Sequence, residues 1–176
     1  NQLTQYIHDL DSIAYARNGL EELIRNLTNS GVKRIVLTGH SMGAAMVMET
    51  MRPMHIKSGH QALRKIDSVV FFSPDMDVDL IVQTAKQIAP LPENFVIYTS
   101  TNDWLLPRFA KYLTFGQDRL GRPDDVDELN DLNITLVDVS NTETDDKSTH
   151  LALAASAPLI RAVNAMENPD LARFAS

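Results

Sequence analysis

The residues with the most chemical promise are Gly39-His40-Ser41-Met42-Gly43. By itself a glycine-x-serine-x-glycine run arises by chance in about one chain in twenty of this length, at average glycine and serine usage. Its setting makes it specific. It follows the apolar, β-branched stretch Arg34-Ile35-Val36-Leu37-Thr38 and directly precedes a helical run. A serine held in so tight a strand-to-helix turn projects from the sheet edge, where it can attack a carbonyl carbon. The helix N-terminus behind it favours developing negative charge, and the backbone N–H of Met42 is then one donor for an oxyanion. The turn is expected to crowd its neighbours, so that Gly39 and Gly43 must both lack side chains. The plain alternative is an ordinary glycine-flanked loop between a strand and a helix.

A serine hydroxyl is a weak nucleophile at neutral pH; it needs a base, and the base needs an orienting acid. Where such a turn carries a triad, the chain order is serine, acid, histidine. His8 precedes the serine. His40 lies inside the turn and is expected to line the substrate pocket. His55 and His60 fall in a polar segment and read as surface groups. His150 lies in a loop beyond the last expected strand, where the base belongs, although a surface or capping histidine is the bland alternative. Two aspartates compete for the acid. Asp103 follows the strand two beyond that of the serine and is favoured; Asp75 follows the strand before it and is the alternative. Either could instead cap a helix. Asp138 falls within an expected strand and is less suited. Asp75, Asp77 and Asp79 alternate like metal ligands but lack the glycine and closing glutamate of an EF-hand loop, so they read as a helix start. Met42, Met46, Met48, Met51 and Met54 read as adaptable core packing, with Met42 near enough to Ser41 to touch an apolar acyl chain. No cofactor and no metal is expected.

The elements that must position these groups follow from periodicity and punctuation. Asp9 and Asp11 are N-caps for a helix carrying Ile13, Ala16, Leu20, Leu23, Ile24 and Leu27 at helical spacing, stopped at Asn29-Ser30-Gly31. The strand over 34–38 leads to a second helix, apolar nearly all round, from Met42 to just before Pro53. Residues 54–66 read as a polar loop, with room for a short helix. A strand over 68–72 closes at Ser73-Pro74. A helix then runs from Asp77 or Asp79 to about Ala89, followed by a strand over 95–99. A helix over 104–113, a long loop over 116–131, a strand over 134–139, a polar loop over 140–149 and a helix over 157–167 complete the order. Apolar strands alternating with helices predict an α/β fold: one domain over 1–176, its mainly parallel sheet covered by helices on both faces. Crossovers should be right-handed, and reactive groups should gather beyond the carboxyl ends of the strands.

Composition narrows the partners. Of 176 residues, 44% are hydrophobic and 22% charged, the mix of an ordinary globular domain. The net charge is −7 with scattered basic residues, so there is no basic stripe for nucleic acid. The absence of cysteine excludes thiol catalysis, disulfides and cysteine-type zinc sites, and leaves the compartment open. No apolar run reaches the roughly 18 residues of a membrane span. The chain opens at Asn1, and no leader is visible.

Residues 34–43 resemble the serine turn of bacterial α/β-hydrolases grouped as domain of unknown function 900, within the esterase/lipase superfamily. Val69-Val70-Phe71-Phe72-Ser73-Pro74-Asp75 is similar to that family's strand ending in Pro-Asp. Tyr98-Thr99-Ser100-Thr101-Asn102-Asp103 resembles its strand leading to an aspartate, and Asp118-Arg119-Leu120-Gly121 its Arg-x-Gly loop. Val137-Asp138-Val139-Ser140 with His150 resembles its last strand and histidine. The resemblance covers most of the chain from about residue 6. It implies Ser41, Asp103 and His150 as a triad acting on a small-molecule or lipid-like ester, and names no substrate. One departure stands out: the opening strands of the fold and the His-Gly segment that supplies the second oxyanion donor have no counterpart before the first helix. Losing one donor typically costs about 10²–10³ in rate. Four strands would also leave a sheet edge open to pairing with another chain, giving an oligomer. The rival to an esterase is therefore an inactive binding or structural module on a hydrolase scaffold.

Overall fold

The computed structural model describes residues 2–99, 119–120, 129 and 131–138. Helix α1 spans Gln2–Asn29 and strand β1 Ile35–His40. Helix α2 covers Met42–Ser58 and runs into a 3₁₀ turn at Gly59–Ala62. Then come β2 (Ile66–Phe72), β3 (Met76–Asp77), α3 (Val78–Gln87), β4 (Asn94–Thr99), β5 (Arg119–Leu120) and β6 (Ile134–Asp138). The main sheet has the order β1-β2-β4-β6, and each neighbouring pair is parallel. Short β3 and β5 form a separate antiparallel pair, Met76 opposite Leu120 and Asp77 opposite Arg119. The four strands expected from sequence are the four strands of the parallel sheet. The β3–β5 ladder was not anticipated: two-residue strands carry no periodicity to read.

Strand alternation sorts the core. One face of β2 and β4 sets Val69, Phe71, Phe95 and Ile97 against Ile24 of α1, Met48, Met51 and Met54 of α2, and Ile81 and Ala85 of α3. Phe71 meets Phe95 edge to face at 5.3 Å, the arrangement that ring quadrupoles favour. On the opposite face Val70 and Phe72 are buried with Val36 and Tyr98, and Phe72 stacks on Tyr98 at 5.3 Å. Burial raises the Tyr98 phenol above its ordinary pKa, so it stays neutral. The helices expected over 104–113 and 157–167 lie outside the described residues.

The helices depart from expectation in three places. Helix α1 already includes Asp9 and Asp11, so neither is an N-cap. Of its expected apolar stripe, Leu20, Ile24 and Leu27 pack on the core, whereas Ala16 and Leu23 are exposed. Gly31 does take the positive φ, 88°, of a left-handed stop. Helix α2 continues through Pro53 to Ser58. An interior proline forfeits a hydrogen bond and clashes with the preceding turn, at about 3 kcal/mol. Met48, Met51 and Met54, each 0% exposed, span that point and anchor the helix on both sides of it. Tertiary burial outweighs the local penalty. Methionine packing is what the sequence implied, and none of residues 42–55 is exposed.

Two charged links tie α1 to α2. Glu21 accepts from Arg25 at 2.8 Å and from Lys57 at 3.2 Å, and Arg17 lies 3.8 Å from Glu49. Burial would raise the Glu21 pKa, but the hydrogen bonds from Arg25 and Lys57 outweigh it and hold the carboxyl below its usual value. Among the described residues no helix is long and apolar enough to cross a membrane.

Candidate active site

Parallel strands end together, so the sheet has one carboxyl edge. Ser41 follows β1 there, Ser73 follows β2, Thr99 closes β4 and Asp138 closes β6. Backbone hydrogen bonds lock the row. Ser41 N–H donates to the Phe72 carbonyl at 3.0 Å, and Ser73 N–H donates to the Tyr98 carbonyl at 2.8 Å. Thr99 stands in register with Asp138.

Ser41 is the junction between β1 and α2, with φ 52° and ψ −123°. That combination lies outside the basins L-residues ordinarily occupy and costs on the order of 1–3 kcal/mol. The residue is partly exposed, and its carbonyl accepts from Ala44 N–H at 3.1 Å as α2 begins. Met42 is the first residue of α2, so helical geometry leaves its N–H without an intrahelical acceptor. His40 is the last residue of β1, part-buried and paired in register with Phe72.

The two glycines of the turn are not equivalent. A Cβ on Gly39 would sit 2.7 Å from Ala44 Cα and 2.8 Å from Ala44 N, backbone atoms that cannot step aside. The missing side chain is what lets α2 start directly against the end of β1. A Cβ on Gly43 would meet nothing within 4 Å. The expectation that both positions must lack side chains is corrected for Gly43, where a Cβ has open space.

Asp75, the alternative acid, is 6% exposed at the same edge, two residues after Ser73. Asp77 lies in β3, and α3 starts at Val78, so this acidic run does lead into a helix. Among the described residues no cluster of side chains is arranged to hold a metal ion. Asp103 and His150 lie outside the described residues. His55 falls within α2 rather than in a loop, part-buried, while His60 is exposed in the 3₁₀ turn.

Two residues at this edge escaped the sequence reading. Ser73 is 1% exposed with φ 40°, and Thr99 is 0% exposed. Ser73 Oγ and Thr99 Oγ1 are buried without hydrogen-bond partners among the described residues. Each such group costs about 1–3 kcal/mol in lost hydration. The available signal was a hydroxyl closing an otherwise apolar strand, in Phe72-Ser73 and Tyr98-Thr99.

Comparison with known proteins bears on this geometry. Residues 1–167 match the family described as alpha/beta hydrolase of unknown function (DUF900). The chain belongs to this family. Its four-stranded parallel sheet with packed helices is α/β-hydrolase-like accordingly. No curated protein matches the chain. Among solved structures it is similar to a C6-C4 SN3-inhibited esterase B from Lactobacillus rhamnosis, at 9% identity and a TM-score of 0.46. That likeness covers 91% of this chain and 64% of the esterase, so the DUF900 chain spans less than two thirds of that protein's length.

Proposed function

We propose that the chain is a serine hydrolase that cleaves an ester or related acyl bond through an acyl-enzyme on Ser41. The observation that carries this reading is the strained backbone of Ser41, φ 52° and ψ −123°, at a strand-to-helix junction made possible by Gly39. Strain of this kind persists where surrounding structure enforces it, and it clusters at reactive sites. An ordinary loop would relax. Family membership supports hydrolysis as the reaction class.

In this mechanism Ser41 Oγ attacks the substrate carbonyl carbon as its proton passes to the imidazole of His150. The Met42 N–H, at the start of α2, stabilises the oxyanion. Collapse expels the alcohol, which takes the proton from His150. Water, deprotonated by the same imidazole, then attacks the acyl carbon and releases the acid and free Ser41. Asp103 holds the imidazole in the tautomer that accepts the serine proton. His40, beside the nucleophile, borders the substrate. The chemistry is complete without a cofactor.

The test is mass spectrometry after treatment with a fluorophosphonate, with Ser41→Ala as control. One adduct per chain, on Ser41, is expected. A folded chain that takes no adduct would overturn the proposal and favour an inactive module on this scaffold.

A further inference from the structure

A polar cleft of about 270 Å³ opens at the amino edge of the sheet, the end away from Ser41. Asn29 closes α1 shortly before β1 begins at Ile35, and Ser58 closes α2 before β2 begins at Ile66. The six residues of β1, at about 3.3 Å each, put roughly 20 Å between this edge and Ser41. The walls are Arg25, Thr28 and Asn29 of α1, Ser58 of α2, Gln61 of the 3₁₀ turn and Arg64 just beyond it, with one alanine. No acidic residue lines the cleft, although Asp and Glu outnumber Lys and Arg by 23 to 16 in the chain.

Positive charge here exceeds what the fold itself uses. Arg25 Nε and Nη2 both donate to Glu21 Oε1, at 3.1 and 2.8 Å, which leaves Nη1 for a further acceptor. Lys57 donates to the same carboxylate at 3.2 Å. Arg64 is exposed and has no ion pair or hydrogen bond among the described residues. Three cations therefore stand around a single carboxylate. Thr28 Oγ1 is buried without a partner among the described residues, whereas Thr50, also helical, donates to the Met46 carbonyl at 2.7 Å. A wall hydroxyl is thus left over as well. Helix C-termini carry partial negative charge, which works against an anion. Several closing carbonyls are already occupied, however. Ser30 N–H donates to the Asn26 carbonyl at 2.9 Å, Ser30 Oγ to the Leu27 carbonyl at 3.0 Å, and Gly59 N–H to the His55 carbonyl.

The donors specify the ligand. Guanidinium, amide and hydroxyl groups without a lining carboxylate call for an acceptor-rich anion. The volume lies below the roughly 300–1,000 Å³ of drug-sized sites, so the anion is small. Arg25 and Arg64 come from different elements, so the ligand must offer oxygens in more than one direction. A planar carboxylate offers two to one fork, whereas a phosphate group offers at least three. We propose that this cleft binds phosphate, free or as the phosphate group of a small molecule, between Arg25 and Arg64. The site stands apart from Ser41 and from the reading of its chemistry.

The test is thermal unfolding and calorimetric titration of the full chain with inorganic phosphate, glycerol 2-phosphate and acetate, at constant ionic strength set with chloride. Phosphate or its ester is expected to raise Tm by several degrees in a saturable way, and acetate to do little. Tighter binding of the ester would assign the site to a phosphorylated small molecule; equal or tighter binding of inorganic phosphate would assign it to the free ion. Arg64→Gln should weaken binding about tenfold or more, the usual effect of losing a charge-assisted hydrogen bond, with its Tm before ligand near that of the parent. Arg64→Lys should recover only part of the affinity, because an ammonium lacks the planar fork. Arg34→Gln, at the same edge but outside the cleft, should bind like the parent. No saturable response to either phosphate, an equal response to acetate, full affinity in Arg64→Gln, or an equal loss in Arg34→Gln would each overturn the proposal.

Discussion

Two serines leave adjacent strands of the sheet, Ser41 from β1 and Ser73 from β2, and both hold a positive φ, 52° and 40°. Their surroundings differ. Ser41 is partly exposed at the N-terminus of a 17-residue helix, whereas Ser73 is 1% exposed. The same kind of backbone strain thus occurs in two settings. At an open helix N-terminus, on the proposed reading, it presents a hydroxyl to an incoming carbonyl, with a dipole to favour the charge that develops. In the interior it places a hydroxyl where only a buried partner can use it. Exposure, rather than backbone conformation, decides which role a strained serine can take.

The comparison breaks most sharply on activity. Ser41→Ala and His150→Ala are each expected to lower hydrolysis of an activated ester by about 10⁴-fold or more, read as kcat/KM. Ser41→Ala should leave Tm almost unchanged, because the residue is partly exposed; a large Tm loss would contradict that separation. Asp103→Asn should cost about 10⁴-fold in kcat, and Asp75→Asn much less. The reverse order would move the acid to the buried carboxylate at the end of β2.

Stability comes next. Gly39→Ala forces a Cβ onto the Ala44 backbone and should destabilise by about 1–3 kcal/mol or more, with activity falling as the turn shifts. Gly43→Ala, whose Cβ meets nothing within 4 Å, should stay within about 1 kcal/mol of the parent in denaturant unfolding. Equal penalties would show that the two glycines share one constraint.

The smallest effect lies away from the edge, where α1 meets α2. The Glu21 pKa is lowered in the fold, so the carboxylate adds stability above its unfolded pKa and loses it as pH falls through the folded value. Glu21→Gln should cost under about 1 kcal/mol at neutral pH, since both its cationic partners are well exposed. The gap between variant and parent should close in acid unfolding below about pH 4 and shrink in high salt. A constant gap across pH would assign the loss to packing.

Much of the fold was legible because short apolar, β-branched runs announce themselves as strands. Ile35-Val36-Leu37, Val69-Val70-Phe71-Phe72, Phe95-Val96-Ile97 and Ile134-Thr135-Leu136 all pair in the sheet. The strand-to-helix turn at Ser41 was legible, because glycine, serine and strand-to-helix order coincide there. The burial of Ser73 and Thr99 was not legible, because a serine before a proline and a threonine at a strand end are ordinary punctuation. Only strand neighbours give them meaning.

The sequence by itself determined the alternation of strands and helices, the strand-to-helix turn around Ser41 and the apolar character of α2, all properties of contiguous residues. The tertiary structure alone decided that α2 passes through Pro53, that Leu23 faces out, that Gly39 but not Gly43 is sterically required, and that Ser73 and Thr99 are buried at the ends of adjacent strands, β2 and β4. The physical reason is common to all four. Each depends on which atoms from other elements of the fold arrive against a residue, and contact with such atoms outweighs the preferences written into any local stretch.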